Sequence, residues 1–436
     1  MISFFSKSMV IFSSTIFAFM IYKLSIHQKE LELLDLLICT AIIVLLIISI
    51  LNLFLKKSFS VYIVVVIYGL ISSLYLFEIY LIFTEYKGVK NFKTKKIELY
   101  LEESKKKYDS RNMFEIYTDL KKKDNTIVSK IPPYLFLEFY KDIFPVSGMA
   151  NSKTIMCNEN GYWNIYLSDR YGFNNPDYEW DKEKIEFLLV GDSFAHGACL
   201  NRPNDMASVL RNISKKSLIN LGYSSNGPLI EYVGLREYLK KDTKNIIWLY
   251  FEGNDNVDLY NEIQNKILSK YLSDTNFSQD LINKQKLIDK RTKELLDEEI
   301  NRYSSNLYKF DFINLIKLVR LRGSFSQINK KTSYSLLENI LIKSVELAKI
   351  NNSEFYFVYL PQFEKFTGEV NNNNYNKVKS IIKKLDINFI DVQEMIGKSN
   401  NPLNFFPFGM GGHYNNYGQR IIAEYIYQYI NNEKSK

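Results

Sequence analysis

The chain has 436 residues, 46% of them apolar and 24% charged, with a formal net charge of +8. That balance supports a buried core and excludes a disordered or collagen-like chain. The length allows two domains. No recognition motif for nucleic acid is present, and the excess charge sits beside the most hydrophobic part of the chain, so a nucleic-acid partner is not expected.

Residues 1–84 read as a membrane domain. Leu36 to Leu55, "LLICTAIIVLLIISILNLFL", carries no charge over 20 residues, which at about 1.5 Å per residue matches a hydrocarbon core of about 30 Å. Phe59 to Phe83 is a second such run, with one acid, Glu78, near its end. Ile2 to Tyr22 is a third, interrupted by Lys7; no small-residue cleavage site follows it, so a removed signal peptide is disfavoured. Three transmembrane helices are predicted. Glu78 is assigned no role, because its place in the run puts it near the interface.

Residues 85–184 form a neck and lead-in segment. Between residues 86 and 125 there are 12 Lys/Arg against 7 Asp/Glu, a net of +5. This is either a solvated helical face or a patch drawn to anionic headgroups. The segment ends in "GYWNIYLSDRYGFNNPDYEW" (161–180), whose aromatics either stack on sugar rings or pack on the following domain.

From residue 185 to 436 short β-rich runs alternate with helical patterns. The runs are 185–190, 217–221, 245–251, 354–360 and 387–392. Strand–helix alternation predicts a parallel sheet with helices on both faces and right-handed crossovers. Residues 261–330 break the alternation and are read as a helical insertion, either a lid over the strand ends or a decoration without catalytic part.

Three strand ends and one histidine carry chemical logic. The first strand ends in Gly191-Asp192-Ser193, the second in "NLGYSSNG" with Gly222 just past it, and the third in "EGND" with Asn254 and Asp255 at its tip. In a parallel sheet these lie on one edge, where ligands bind. A serine nucleophile needs a base within hydrogen-bond reach, and a tetrahedral intermediate needs donors for its oxyanion. The N–H groups of Ser193 and Gly222 and the amide of Asn254 are candidate donors. Of three histidines, His27 lies among the membrane spans and His196 is expected to flank the pocket. His413, in a Gly-rich loop before the last helix, is the preferred base.

"GDSFAHG", "NLGYSSNG", "EGND" and "GGHYN" together resemble the four blocks of the SGNH/GDSL hydrolase superfamily, in a membrane-anchored, bacterial-type version. The resemblance implies a flavodoxin-like three-layer α/β/α sandwich with about five parallel strands. It implies hydrolysis or transfer of acyl esters with no required cofactor and no metal. Ser193 would be the nucleophile, His413 the base, and Ser193, Gly222 and Asn254 the oxyanion hole. The chain departs from the family's pattern at Met410, which stands three residues before His413, where an Asp is usual. Either a backbone carbonyl or another carboxylate then orients the imidazole. Asp391, at the end of the fifth strand, is a candidate third member from topology, and otherwise a strand-terminal turn residue.

The reading favoured by these residues is a membrane-anchored serine esterase or deacylase with an acyl-serine intermediate, acting on an acylated envelope glycan or lipid. An O-acyltransferase using the same residues, and an inactive glycan-binding or assembly protein, are the alternatives. Cys157 and Cys199 are the soluble part's two cysteines, and a bridge between them would pin the lead-in segment beside the site. Such a bond persists in an oxidising compartment. The expectation is therefore a cytoplasmic N-terminus, an integral inner- or plasma-membrane protein, and an outward-facing catalytic domain. A cytoplasmic N-terminus places Lys7, Lys56 and Lys57 inside, whereas the opposite orientation places Lys23, Lys29, Lys87, Lys90, Lys93, Lys95 and Lys96 inside, which the positive-inside rule prefers; that rule counts short loops best, and a very long domain follows Phe83.

Overall fold

The structure is a computed structural model that describes residues 2–26, 33–140, 142–306, 312–328 and 334–434. His27 lies outside them. The chain divides into two compact units, residues 1–92 with 309–330, and residues 93–308 with 331–436.

The first unit contains α1 (Ile2–Ile26), α2 (Leu33–Asn52) and the opening turns of α3 (Lys57–Ser104). Among the described residues two helices are long and apolar enough to cross a membrane, at Phe4–Tyr22 and within α3. The described apolar run of α2, Ile38–Asn52, is shorter than a full span, so by length and composition the described residues supply two spans rather than three. Buried polar side chains tie the three helices: Ser6 Oγ lies 3.0 Å from Ser60 Oγ and accepts from Asn52 Nδ2 at 3.3 Å. Such bonds between apolar helices hold a register that apolar packing alone leaves loose.

Glu78 is fully buried in this unit. Its carboxylate accepts the N–H groups of Arg320 (3.0 Å) and Leu321 (2.8 Å), two of the unpaired donors at the start of the helix Val319–Ile328. The acid without an assigned role thus caps a helix of the insertion. The earlier part of the insertion has a different task. Leu268, Tyr271, Leu281, Ile288 and Leu295 are buried in the core of the second unit. Arg236, on the helix Pro228–Tyr238, donates to the carbonyls of Tyr271, Asp274, Thr275 and Phe277. These residues complete a hydrophobic face, which favours the packing reading over the lid.

The second unit opens with the last turns of α3 and with α4 (Met113–Lys121), started by a capping box between Asn112 and Glu115. A small sheet follows, of β1 (Ile127–Ser129), β2 (Lys153–Ile155) and β3 (Ile165–Leu167), in that order. β2 and β3 form an antiparallel hairpin. Of this segment's aromatics Tyr166, Phe173 and Trp180 are buried and packed inward, Tyr162, Trp163 and Tyr171 are half-buried, and Tyr178 is exposed.

The main sheet holds β4 (Phe187–Gly191), β5 (Leu218–Asn220), β6 (Asn245–Phe251), β7 (Glu354–Leu360) and β8 (Asn388–Asp391). All neighbours are parallel and the order is β5-β4-β6-β7-β8. This is the flavodoxin-like order, with its switch point at the end of β4. The strands alternate as a period of two requires. Leu188, Val190, Ile246 and Trp248 face the helices Pro228–Tyr238 and Tyr334–Ile350 on one side. Phe187, Leu189, Ile247 and Leu249 face Met206–Ser214 and Asn416–Lys434 on the other. The result is the three-layer α/β/α sandwich expected from the alternation.

Candidate active site

β4 runs straight into a four-residue helix, Ser193–His196, whose N-cap is Asp192. The Asp192 carboxylate accepts the Phe194 N–H at 2.8 Å and fixes the turn. Ser193 therefore stands at the strand end, half-exposed, while its neighbours on both sides are buried. The Phe194 ring stacks on Phe251 at the end of β6 and supports the His413 ring, at centroid distances of 4.0 and 4.8 Å.

His413 comes from the loop before the last helix, 220 residues away in sequence, and its Nε2 lies 2.8 Å from Ser193 Oγ. Its Nδ1 lies 3.0 Å from Glu159 Oε1, and its backbone N–H donates to Glu159 Oε2 at 2.7 Å. A carboxylate only accepts, so Nδ1 carries the proton and Nε2 is left free to accept from the serine hydroxyl. Serine, histidine and acid thus form one hydrogen-bonded line.

Glu159 was not among the residues the sequence singled out. It sits in the loop of the β2–β3 hairpin, which closes through Met156 and Asn164. Burial alone would raise its carboxyl, but the charge of His413, the hydrogen bonds from that residue and the nearby Lys96 ammonium outweigh burial and hold it at about 2. It is ionised throughout the neutral range. Gly412, at φ +138°, makes room for it: a Cβ there would lie 2.6 Å from Glu159 Oε2.

Cys157 and Cys199 form a disulfide, with Cα atoms 4.9 Å apart. It ties the Glu159 loop to the segment just beyond Ser193. Asn160 Nδ2 donates to the Cys199 carbonyl and Asn164 Nδ2 to that of Leu200, reinforcing the same seam. The bridge spans 42 residues, a loop whose closure is worth about 4 kcal/mol by the chain-entropy relation. Thiol labelling of the denatured protein is expected to modify Cys39 alone before reduction and all three cysteines afterwards. Full labelling without reductant would refute the bond. Glu159, Cys199 and His413 lie within 4.8 Å of one another through their donor atoms, but the sulfur is committed to the disulfide and the histidine to the serine.

Two sequence expectations are corrected. Asp391 is not near this line as a partner: its carboxylate accepts from Tyr375 Oη, Lys379 Nζ and the Glu394 N–H. It caps the helix Val392–Gly397, the turn role foreseen as its alternative. Gly222 does not present its N–H to the site, because that group donates to Asn220 Oδ1 at 2.8 Å. Its need for glycine is steric, since a Cβ would overlap Ala195 and the backbone of the helical turn Ser193–His196. At the same strand end Ser225 is half-exposed, holds φ at +68°, and its N–H bonds to no described residue.

Asn254 lies at the tip of β6, on the same edge as Ser193 by the parallel register of β4 and β6. One of its amide hydrogens is used by Asp258 Oδ2 at 2.6 Å, which fixes the side chain and leaves the second hydrogen. His196 is fully buried. Its Nδ1 accepts from the Ser224 N–H, and Nε2 lies 2.8 Å from Tyr166 Oη. Burial pushes its imidazole well below the usual value, with smaller contributions from Lys130 and His413, so it is a neutral strut between strand ends.

No protein-family model matches the chain, and no curated protein matches it. Among solved structures it is similar to a protein described as lipolytic and of the G-D-S-L family from Desulfitobacterium hafniense DCB-2. That match has 13% identity, covers 56% of this chain and 99% of the other, and has a TM-score of 0.32. A psychrotrophic esterase from Pseudoalteromonas sp. matches at 11% identity over 58% of this chain and 99% of the other, TM-score 0.29. An acetylxylan esterase from Geobacillus stearothermophilus matches at 11% identity over 56% and 94%, TM-score 0.30. At such scores the reaction has to be argued from the site itself.

Proposed function

We propose that the protein is a serine esterase that cleaves acyl esters through an acyl-serine intermediate. The observation that carries the reading is the continuous Ser193–His413–Glu159 line, with each bond oriented for proton transfer away from the hydroxyl. His413 Nε2 takes the serine proton as Oγ attacks the ester carbonyl, then returns it to the leaving alcohol. Water, activated by the same nitrogen, releases the acid. Glu159 holds the imidazole in the reactive tautomer and stabilises its charged form. The candidate oxyanion donors are the Ser193 N–H, the second amide hydrogen of Asn254, and the Ser225 N–H in place of Gly222.

Asn254→Ala is expected to lower kcat by about 10²–10³, the range for loss of one such donor, with KM for a small ester little changed. A raised KM at constant kcat would assign Asn254 to substrate binding instead.

We further read the protein as membrane-anchored with its catalytic unit outside the cytoplasm. Two apolar helices support the anchor, and the disulfide supports an oxidising compartment. Acylated envelope glycans and lipids are the esters within reach of such a site. Incubating the solubilised protein with a serine-directed fluorophosphonate tests the chemistry, and a Ser193 adduct by mass spectrometry is the expected result. Absence of labelling on folded protein would overturn it.

A further inference from the structure

We propose that Tyr100, in the last turns of α3, is a positioning residue that sets Glu159 against His413, and that Lys96, on the same face of the helix, supplies positive charge to that acid. The inference rests on the serine-esterase reading above.

Glu159 and His413 stand on loops 254 residues apart in sequence, and the distance between them depends on what lies behind both loops. Tyr100 touches both. Its ring packs on Gly161, two residues beyond Glu159, so closely that a Cβ on Gly161 would overlap the ring. It also meets Phe408, five residues before His413, edge to face at 6.1 Å between centroids. Tyr108 closes the stack at 5.6 Å. The neck holds the same loop through its backbone, since the Asp109 N–H donates to the Gly161 carbonyl and Asn158 Nδ2 to the Asp109 carbonyl.

Lys96 lies one helical turn before Tyr100, hence on the same face of α3. It is buried, and its ammonium acts on Glu159. A buried lysine is costly unless an anion accompanies it. The Glu159 carboxylate is an anion whose field reaches it, so the lysine's charge favours the ionised acid. Glu159 is also faced by Tyr108 and by Lys130 just after β1, while Asp192 and His196 face His413. Of these groups, only Lys96 comes from α3, the helix whose earlier turns form the apolar span.

A misplacement of about 1 Å between reacting groups can cost about 10²-fold in rate. Tyr100→Ala, in the detergent-solubilised full chain, is therefore expected to lower kcat for p-nitrophenyl acetate by about 10- to 100-fold at constant KM. Tyr100→Phe is expected to restore it, because the ring and not the hydroxyl does the packing. Lys96→Met removes a positive charge, which makes protonation of its neighbours easier. The acid limb of kcat/KM is expected to move to higher pH, and Lys96→Arg to move it back. Wild-type kcat in Tyr100→Ala together with an unmoved acid limb in Lys96→Met would overturn the proposal. If Tyr100→Ala does not fold, the Lys96 pair decides alone. Fluorophosphonate labelling of the wild type separates the two levels. A labelled wild type with unaffected variants sinks only this inference, whereas an unlabelled wild type sinks the esterase reading beneath it.

Discussion

Ser193→Ala is expected to abolish ester turnover and fluorophosphonate labelling while leaving the thermal transition in place. Ser193 is half-exposed at the end of β4, outside the buried core. Among the described residues it bonds to His413 Nε2 and, weakly at 3.3 Å, to Asp192. His413→Ala is expected to fall to nearly the same residual rate. The two residues act as a unit, and loss of either typically removes about 10⁶-fold in kcat. The comparison to make is between each single variant and the double variant, measured on one small ester. Full additivity would mean that serine and histidine contribute independently, and the hydrogen bond between them would then have no catalytic meaning. A His413→Ala enzyme as active as the wild type would overturn the assignment of the base.

Glu159→Gln is expected to reduce kcat by about 10⁴-fold, the scale of neutralising a triad acid. The amide keeps the shape but can present its NH₂ to Nδ1, which turns the imidazole to the wrong tautomer. The paired N–H of His413 loses its charged acceptor as well. Asp391→Asn is expected to stay within a few-fold of wild type, because that carboxylate is occupied by Tyr375, Lys379 and a helix cap. The two variants side by side discriminate the acids. A large loss in Asp391→Asn with little in Glu159→Gln would reverse the assignment. Small losses in both would leave the histidine oriented by backbone alone.

The stretches that read clearly in the sequence are those whose signal is local. The five strands of the main sheet lie where apolar runs alternate with helical patterns, because a buried parallel strand must be apolar and its crossover amphipathic. The turn at Gly191-Asp192-Ser193 and the Gly-rich approach to His413 are equally local, since only small residues and caps allow those bends. The pairing of Cys157 with Cys199 was legible because those are the only two cysteines outside the membrane part.

The third member of the line was not legible in that way. Its usual place holds Met410, and the carboxylate that replaces it comes from a hairpin loop that precedes the sheet. No periodicity marks such a residue. The one available signal was indirect: Glu159 is two positions from a cysteine bridged to the segment that follows Ser193. Gly222 shows the converse failure. Its type was read as an open N–H, whereas Asn220 takes that N–H and the glycine is required by contact with Ala195. The sequence determined the sheet and marked the serine and the histidine as candidates, because each is written in a short window. Only the tertiary structure brought the Glu159 carboxylate to His413 and left the Ser225 N–H at the end of β5 without a partner among the described residues, because both depend on segments brought together from far along the chain.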